Sequence, residues 1–429
     1  MLKRALGLPD ATAMVVGTII GASIFVQPSE ISAQMPTPGG ILLVWLAAGI
    51  LTLFGALACA ELASAFPRTG GVYVYLTEAY SPAAGFLWGW AMFWSMHTGI
   101  IAAIAMIFAR YAAVFVPMGD MGLRLTAVGL ILVLSAVNIL GVRYGGRVQT
   151  AFTAAKVSAI LVMIVAGLLL SRDASIYHLQ SPASEPATFN GFVLAMAAGL
   201  FAYGGWHMVT FTAGETRDAA STIPRALVAG VLVVTACYAG LNFVYLRVLP
   251  LGALRTSTRV AADAADALMG AGGAGLMAAL VMISTFGAVN GIILSGPRVY
   301  YSMAHDGLLF RWFGEVHPRF QTPHRALILQ AVWASALTLT GTYRALFTRV
   351  IYTEWIFFAA MAGALFVLRR RANYSPAYRI WGYPIVPAVF AIAALVVVAI
   401  QVAADPRDSA IGLGMVLAGL PVYLLWLRK

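Results

Sequence analysis

The sequence predicts an all-α polytopic membrane protein of 12 transmembrane helices. They form two inverted five-helix repeats followed by two further helices. Three observations predict this: the composition, the number of apolar runs, and two interrupted runs that stand five apart. Of the 429 residues, 61% are apolar and 10% are charged. A soluble domain carries roughly 45–50% and about 25%. The length alone would allow two or three soluble domains, but 27 basic and 16 acidic side chains cannot cover that much soluble surface. Mean hydropathy is +0.87, which excludes disorder, since disorder needs low hydrophobicity. The formal charge of +11 is not a nucleic-acid signal. That reading needs a basic face on a soluble domain, and none is left.

A membrane helix needs roughly 20 apolar residues. Runs of that kind lie near 10–33, 40–65, 83–116, 123–141, 146–170, 190–213, 224–248, 271–300, 325–342, 347–369, 384–404 and 409–427. They are continuous rather than alternating, which excludes a closed barrel. The longest connections, near 171–189, 249–270 and 301–324, leave no extramembrane domain. Residues 1–170 are expected to form the first repeat, 171–371 the second, and 372–429 the last two helices. Met1–Leu8 is short and basic, and the apolar run behind it leads into a Gly-rich segment rather than an AxA site. No cleavable signal peptide is expected. Cys59 and Cys237 sit inside apolar runs without a CxxC and read as small buried hydrophobes.

Lys and Arg placement sets the orientation. With both termini inside, 17 basic residues fall on the inner side, among them Lys3, Arg4, Arg68, Arg143, Arg147, Arg298, Arg369, Arg370, Arg371, Arg428 and Lys429. The outer side holds 9, among them Arg110, Arg124, Arg172, Arg255, Arg344, Arg349 and Arg407. Counting acids such as Asp173 and Glu185 on the outer face, the inner face is +11 and the outer face +2. The bias predicts a multi-pass protein of the cell (inner) membrane with both termini cytoplasmic.

The first run reads Gly17-Thr18-Ile19-Ile20-Gly21-Ala22-Ser23-Ile24-Phe25, and Gln27, Pro28 and Glu30 follow. The sixth reads Gly199-Leu200-Phe201-Ala202-Tyr203-Gly204-Gly205-Trp206-His207. Halves of five helices each insert with opposite orientation, and paired broken helices mark a midplane site in such transporters. A broken helix leaves N–H groups free on one half and carbonyls on the other. Inside a bilayer these must find partners. A zwitterion supplies them: its carboxylate accepts from the N–H groups and its ammonium donates to the carbonyls. The half-helix dipole helps hold the carboxylate. Neither break carries an acidic residue, so a fixed side-chain charge is unnecessary. Gly17-x-x-x-Gly21 is also a helix-packing motif; the matching interruption five helices later favours a substrate site.

These residues resemble those of the amino acid–polyamine–organocation transporter superfamily, and within it the L-type amino-acid transporter branch, in a bacterial form. Gly17–Phe25 is similar to the first-helix signature. Glu61-Leu62 through Pro67-Arg68-Thr69-Gly70-Gly71-Val72-Tyr73-Val74-Tyr75-Leu76 resembles the family's loop after the second helix. Phe201–Trp206 resembles the sixth-helix break, and Ser284–Gly291 the eighth-helix signature. Pro224-Arg225-Ala226 and Gly382-Tyr383-Pro384 are smaller matches. The resemblance implies a LeuT-like 5+5 inverted repeat with helices 1 and 6 broken. It implies a substrate site at Ile20, Gly21, Ala22, Ser23, Ile24, Phe201, Ala202, Tyr203, Gly204 and His207. Gly21, Ala22 and Ser23 would present N–H groups to the substrate carboxylate. Phe201, Ala202 and Tyr203 would offer carbonyls to its ammonium, and Phe201 would close as a gate. Ser23 departs from the usual glycine and His207 from the usual Asn.

Lys156 lies about ten residues into the fifth run. An intramembrane Lys costs about 2.5–3.5 kcal/mol on insertion scales, and snorkelling to the interface is the alternative. In sodium-coupled relatives of this fold, sodium lies between helices one, five and eight. The resemblance places Lys156 there as a substitute for the ion, which implies sodium independence. Glu354 near the start of the tenth run is a candidate proton site or polar support. Glu30 and Glu61, near run ends, read as structural groups. Asn290 reads as a hydrogen-bonding group within the bundle, possible polar support to the site or packing glue. His97, His178, His207, His305, His317 and His324 show no metal-ligand helical spacing, so no metal or cofactor is expected. His207 adjoins the break, as a bundle histidine or a pH sensor. Trp45, Trp312, Trp381 and Trp426 fit interfacial belts, whereas Trp88, Trp90 and Trp94 fit packing.

The function read from these features is secondary transport of neutral L-amino acids by alternating access, as sodium-independent exchange. Uniport and proton-coupled symport are the alternatives within that class. A membrane enzyme would need a nucleophile–base or metal constellation, and none is found. A channel would want a charged ring or a carbonyl filter. Animal L-type transporters pair with a single-span heavy chain through an outer-loop cysteine after the third helix. Here that connection, Pro117-Met118-Gly119-Asp120-Met121, has no cysteine, so no disulfide-linked heavy chain is expected. The expected partners are the amino-acid substrate and the bilayer.

Overall fold

The computed structural model describes residues 6–140, 145–170, 188–270, 272–320, 322–341 and 343–426. Lys3, Arg4, Arg143, Arg172, Asp173, His178, Glu185, Arg428 and Lys429 lie outside the described residues, as do the side chains of Arg147, Arg344, Arg349 and Trp426. Among the described residues the secondary structure is helical, apart from an isolated bridge between Leu6 and Thr216.

Helix starts follow the local chemistry. α1 (Leu8–Ile19) opens with Pro9 in its first turn, and the Asp10 carboxylate accepts from the Gly7 N–H at 3.0 Å. After α2 (Gln27–Gln34), the Thr37 hydroxyl caps α3 (Pro38–Ala65) through the Gly40 N–H at 3.1 Å. Such side-chain oxygens satisfy N–H groups that a first turn leaves unpaired. α4 (Val72–Ala79) and α5 (Pro82–Ala91) follow, and α5 continues through a π-turn at Met92–Met96 into α6 (His97–Ala112). α7 spans Asp120–Leu140, α8 Gly145–Leu170 and α9 Phe189–Ala202; a tighter 3₁₀ segment, Trp206–Glu215, carries the sixth run onward. α10 is Ala219–Val248, α11 Leu251–Thr256, α12 Val260–Met269 and α13 Gly273–His305. α14 (His324–Thr340), α15 (Tyr343–Leu368), α16 (Ile385–Ala404), α17 (Pro406–Leu417) and α18 (Gly419–Trp426) complete the chain.

Among the described residues, nine helices are long and apolar enough to cross a membrane. They cover the second to eighth, eleventh and twelfth expected runs. The first run supplies only the short apolar helix Leu8–Ile19, because it breaks. The ninth is a 17-residue helix, His324–Thr340. The tenth contains the apolar stretch Tyr352–Leu368. The twelfth bends at Ala418, between α17 and α18.

Residues expected on one face meet one another. At one end of the bundle, the Leu6 N–H donates to the Glu215 carbonyl at 3.1 Å, Arg298 holds Glu215 at 2.9 Å, and the Tyr73 hydroxyl donates to Asp306 at 2.6 Å. Arg68 pairs with Glu78 there. At the other end, Ser29 donates to the Arg255 carbonyl at 2.9 Å and Arg124 to the Gly341 carbonyl at 3.2 Å. Glu61 is wholly buried. It accepts two bonds from Arg369, at 2.8 and 2.6 Å, and one from the Ile380 N–H at 2.7 Å. Burial and the adjoining Glu61 carboxylate hold the Tyr374 phenol above its ordinary range.

One aromatic was misplaced by sequence position. Trp45 is fully buried rather than interfacial, with its ring 5.5 Å from Tyr238 and 6.3 Å from Tyr203. The packing of α3 against α10 covers it. Trp381, by contrast, is 79% exposed. Cys59 and Cys237 are free and buried.

Candidate functional site

The first break falls after Ile19. Gly17 stays inside α1, and the chain leaves the helix at Ile20, whose ψ is 77°. A short 3₁₀ turn, Ser23–Phe25, then leads into α2. The last carbonyls of α1 therefore have no N–H one turn ahead. Other helices supply the donors. The Lys156 ammonium of α8 reaches the Gly17 carbonyl at 3.2 Å and the Ile20 carbonyl at 3.1 Å. The Tyr238 hydroxyl of α10 reaches the Ile19 carbonyl at 2.9 Å, and Ser284 of α13 donates to the Gly21 carbonyl at 3.3 Å. Thr153, one turn before Lys156, donates to the Ala13 carbonyl at 3.2 Å. α8 and α13 thus both bond the chain at the first break, and Lys156 is 3% exposed. The Gly21 N–H folds back on the Ile19 carbonyl at 2.7 Å. Among the described residues, the N–H groups of Ala22 and Ser23 make no backbone bond.

The second break is built differently. α9 closes with Tyr203 and Gly204 N–H groups on the Gly199 and Phe201 carbonyls, at 3.1 and 3.0 Å. Gly205 then takes a φ of 98°, a conformation that glycine adopts without a Cβ penalty. A Cβ there would also lie 2.8 Å from the Thr18 carbonyl oxygen. The breaks touch at this point: the Thr18 hydroxyl is 3.1 Å from the Gly205 carbonyl. Tyr238 joins them a second time, since its hydroxyl lies 3.1 Å from the Ala202 carbonyl as well as near Ile19.

A cavity opens between the breaks. Gly21, Ser23, Phe201, Gly204 and Glu354 line it, together with Thr18, Ile19, Gly205 and Met208. Ile100, Ile104 and Ile292 form its aliphatic wall. Ile20, Ala22, Ile24, Ala202 and Tyr203 are buried behind the lining. The Ile20 carbonyl is engaged by Lys156 and the Ala202 carbonyl by Tyr238. The Tyr203 side chain turns to the Trp45 carbonyl at 3.2 Å.

Three polar residues also have definite places. Asn290 stands away from the cavity, accepting from the Asn138 amide at 2.7 Å, a packing contact between α13 and α7. His207 lies behind the lining, with its ring against Trp88, Trp206, Phe211 and Phe358. Its Nε2 is 3.8 Å from Glu354. Neither break carries a carboxylate, and α15 brings Glu354, the candidate proton site or polar support, to the cavity. Among the described residues, no group of three His, Cys, Asp or Glu side chains is placed to hold a metal ion.

Thr18 and Ser284 stand inside sequence stretches already singled out, and their hydroxyls were the available signal. Tyr238 carried none, as one of three aromatics in a thirty-residue apolar helix.

Comparison with known proteins places this geometry in context. The family described as amino acid permease matches residues 6–425. The serine/threonine exchanger SteT of Bacillus subtilis is 34% identical over 426 residues, covering 98% of this chain and 96% of that protein. The mouse large neutral amino acids transporter small subunit 2 is 31% identical over 442 residues, covering 100% of this chain and 82% of its own. The mouse b(0,+)-type amino acid transporter 1 is 31% identical over 373 residues, covering 86% and 76%.

Proposed function

The chain belongs to the amino acid permease family, and from that premise we propose that it exchanges amino acids across a membrane by alternating access. It is a transporter and not an enzyme. The observation that carries the reading is the contact of two broken helices at one cavity, beside the Ala22 and Ser23 N–H groups, which make no backbone bond among the described residues. The relatives named for amino-acid exchange or transport match nearly the whole chain. The substrates are neutral L-amino acids, with the carboxylate at the N–H groups of Ala22 and Ser23. Phe201 closes over them as the gate.

The finer architecture belongs to the same proposal. Twelve crossings in a LeuT-like arrangement make residues 1–170 and 171–371 the inverted halves and 372–429 the last two helices. Contact between the first and sixth runs supports it. The inner-face excess of Lys and Arg supports an inner-membrane location with cytoplasmic termini. Lys156 takes the place of a sodium ion, so exchange is sodium-independent. Both cysteines are buried, which supports function without a disulfide-linked heavy chain.

The test is uptake of labelled serine, threonine, alanine and leucine into proteoliposomes. Uptake should rise when the lumen holds unlabelled amino acid and should not change when choline replaces sodium. Uptake that ignores the lumen contents rejects exchange, and uptake that requires sodium rejects the role given to Lys156.

A further inference from the structure

Of the residues that line the cavity, Glu354 alone has an ionisable side chain. It is 5% exposed. His207 Nε2 is 3.8 Å from its carboxylate, and among the described residues His207 Nδ1 has no hydrogen-bond partner. Four aromatic rings enclose the imidazole at centroid distances of 5.0–5.8 Å.

Among the described residues, the surrounding elements bring no second cation to Glu354. α1 and the turn after it present Thr18, Ile19, Gly21 and Ser23, and α13 presents Ile292. α6 presents Ile100 and Ile104, while its His97 is held on the Ile292 carbonyl at 2.7 Å. Lys156 of α8 is engaged by the Gly17 and Ile20 carbonyls. Glu61 of α3 is bound by Arg369, and in α4 Tyr73 meets Asp306 and Glu78 meets Arg68. α5, the π-turn, α9 and α16 contain no charged residue. α17 meets α15 through the Tyr352 hydroxyl on the Asp408 carbonyl, and its Arg407 is exposed.

Burying an uncompensated carboxylate among aliphatic and aromatic walls is costly. One proton makes the Glu354–His207 pair neutral, whether it sits on the carboxyl oxygen or on Nε2. A neutral amino acid adds no net charge, so it is accommodated with that proton in place. We propose that Glu354 and His207 form a proton-binding site in the substrate cavity, where a neutral amino acid is held together with one proton. The inference rests on the amino-acid exchange reading. The proton comes from solvent while the cavity is open and returns to solvent when it reopens; no other bond forms or breaks. Exchange of one neutral amino acid for another moves a proton each way with no net flux, so affinity is the readout. A side-chain cation carries its own charge and displaces the proton.

The experiment is half-saturation for a neutral substrate in proteoliposomes between about pH 5.5 and 8. In the wild type it should rise with pH, by up to about tenfold per pH unit for one proton. In Glu354→Gln, which holds the position neutral, it should be flat. Lysine should inhibit wild-type uptake more strongly as pH rises. That arm needs no variant and decides the matter if Glu354→Gln fails to fold. A flat wild-type profile, a variant that keeps the wild-type slope, or inhibition by lysine without a pH trend overturns the proton site. A wild-type protein that moves no amino acid at any pH overturns the exchange reading, and this inference with it.

Discussion

The Lys156 ammonium lies 3.1 Å from the carbonyl of Ile20, the residue at which the first helix breaks. The same nitrogen holds the Gly17 carbonyl at 3.2 Å. A fixed cation from the fifth run thus satisfies two carbonyls that the break leaves open, as a bound ion would. Lys156→Ala removes both bonds, and each buried unsatisfied polar group costs about 1–3 kcal/mol. Transport should collapse by more than about tenfold in rate, while detergent-solubilised protein still elutes as one symmetric peak. Unchanged transport rejects the role.

Tyr238 ties the two breaks with one hydroxyl, 2.9 Å from the Ile19 carbonyl and 3.1 Å from the Ala202 carbonyl. Ile19 retains the Gly21 N–H, but the Ala202 carbonyl loses this donor in Tyr238→Phe. The variant should lose about 1–3 kcal/mol of stability, read as a lowered thermal midpoint. An unchanged midpoint shows that the hydroxyl contributes nothing.

Gly205→Ala tests the second break. A φ of 98° disfavours any side chain, and the new Cβ would lie 2.8 Å from the Thr18 oxygen. Alanine at positive φ costs more than about 1 kcal/mol, and the clash adds to it. Thermal stability should fall and uptake should be lost, whereas Gly204→Ala, at a position without positive φ, should be milder. Equal behaviour of the two variants contradicts the assignment of strain to Gly205.

Arg369→Ala leaves Glu61 buried without its bidentate partner. Breaking a buried pair from one side costs about 3–5 kcal/mol. The expected result is a large fall in thermal midpoint, partly recovered by Glu61→Gln in the same chain. A loss confined to transport, with stability intact, would place this pair in gating instead.

The site was legible where local chemistry announces it. Small residues at Gly21 and at Gly204-Gly205 interrupt apolar runs, and Lys156 stands out because a charge deep in such a run is expensive. What needed the folded chain is what long-range packing decides. Glu354 is a candidate from its place in an apolar run, but it is about 150 residues from the nearer break, and only packing brings it to the cavity. Trp45 sits near a run end, where an interfacial place is the natural reading, yet α10 covers it. Asn290 looked suited both to the site and to packing, and only the folded chain brings the Asn138 amide to it. The interruption of helix 1 also needed the structure in detail, since the break follows Ile19 while Gly17 remains helical.

The central claim is that the cavity between the breaks holds the amino acid. A ligand that binds only the folded state stabilises it by about 2.7 kcal/mol at 100 times its dissociation constant. A thermal-shift screen of purified protein against the twenty amino acids reads this directly, with Ser23→Trp filling the cavity as the control. The account predicts that at least one neutral amino acid raises the wild-type midpoint and leaves the Ser23→Trp midpoint where it was. Equal shifts in both proteins would contradict it, because the amino acid would then bind elsewhere.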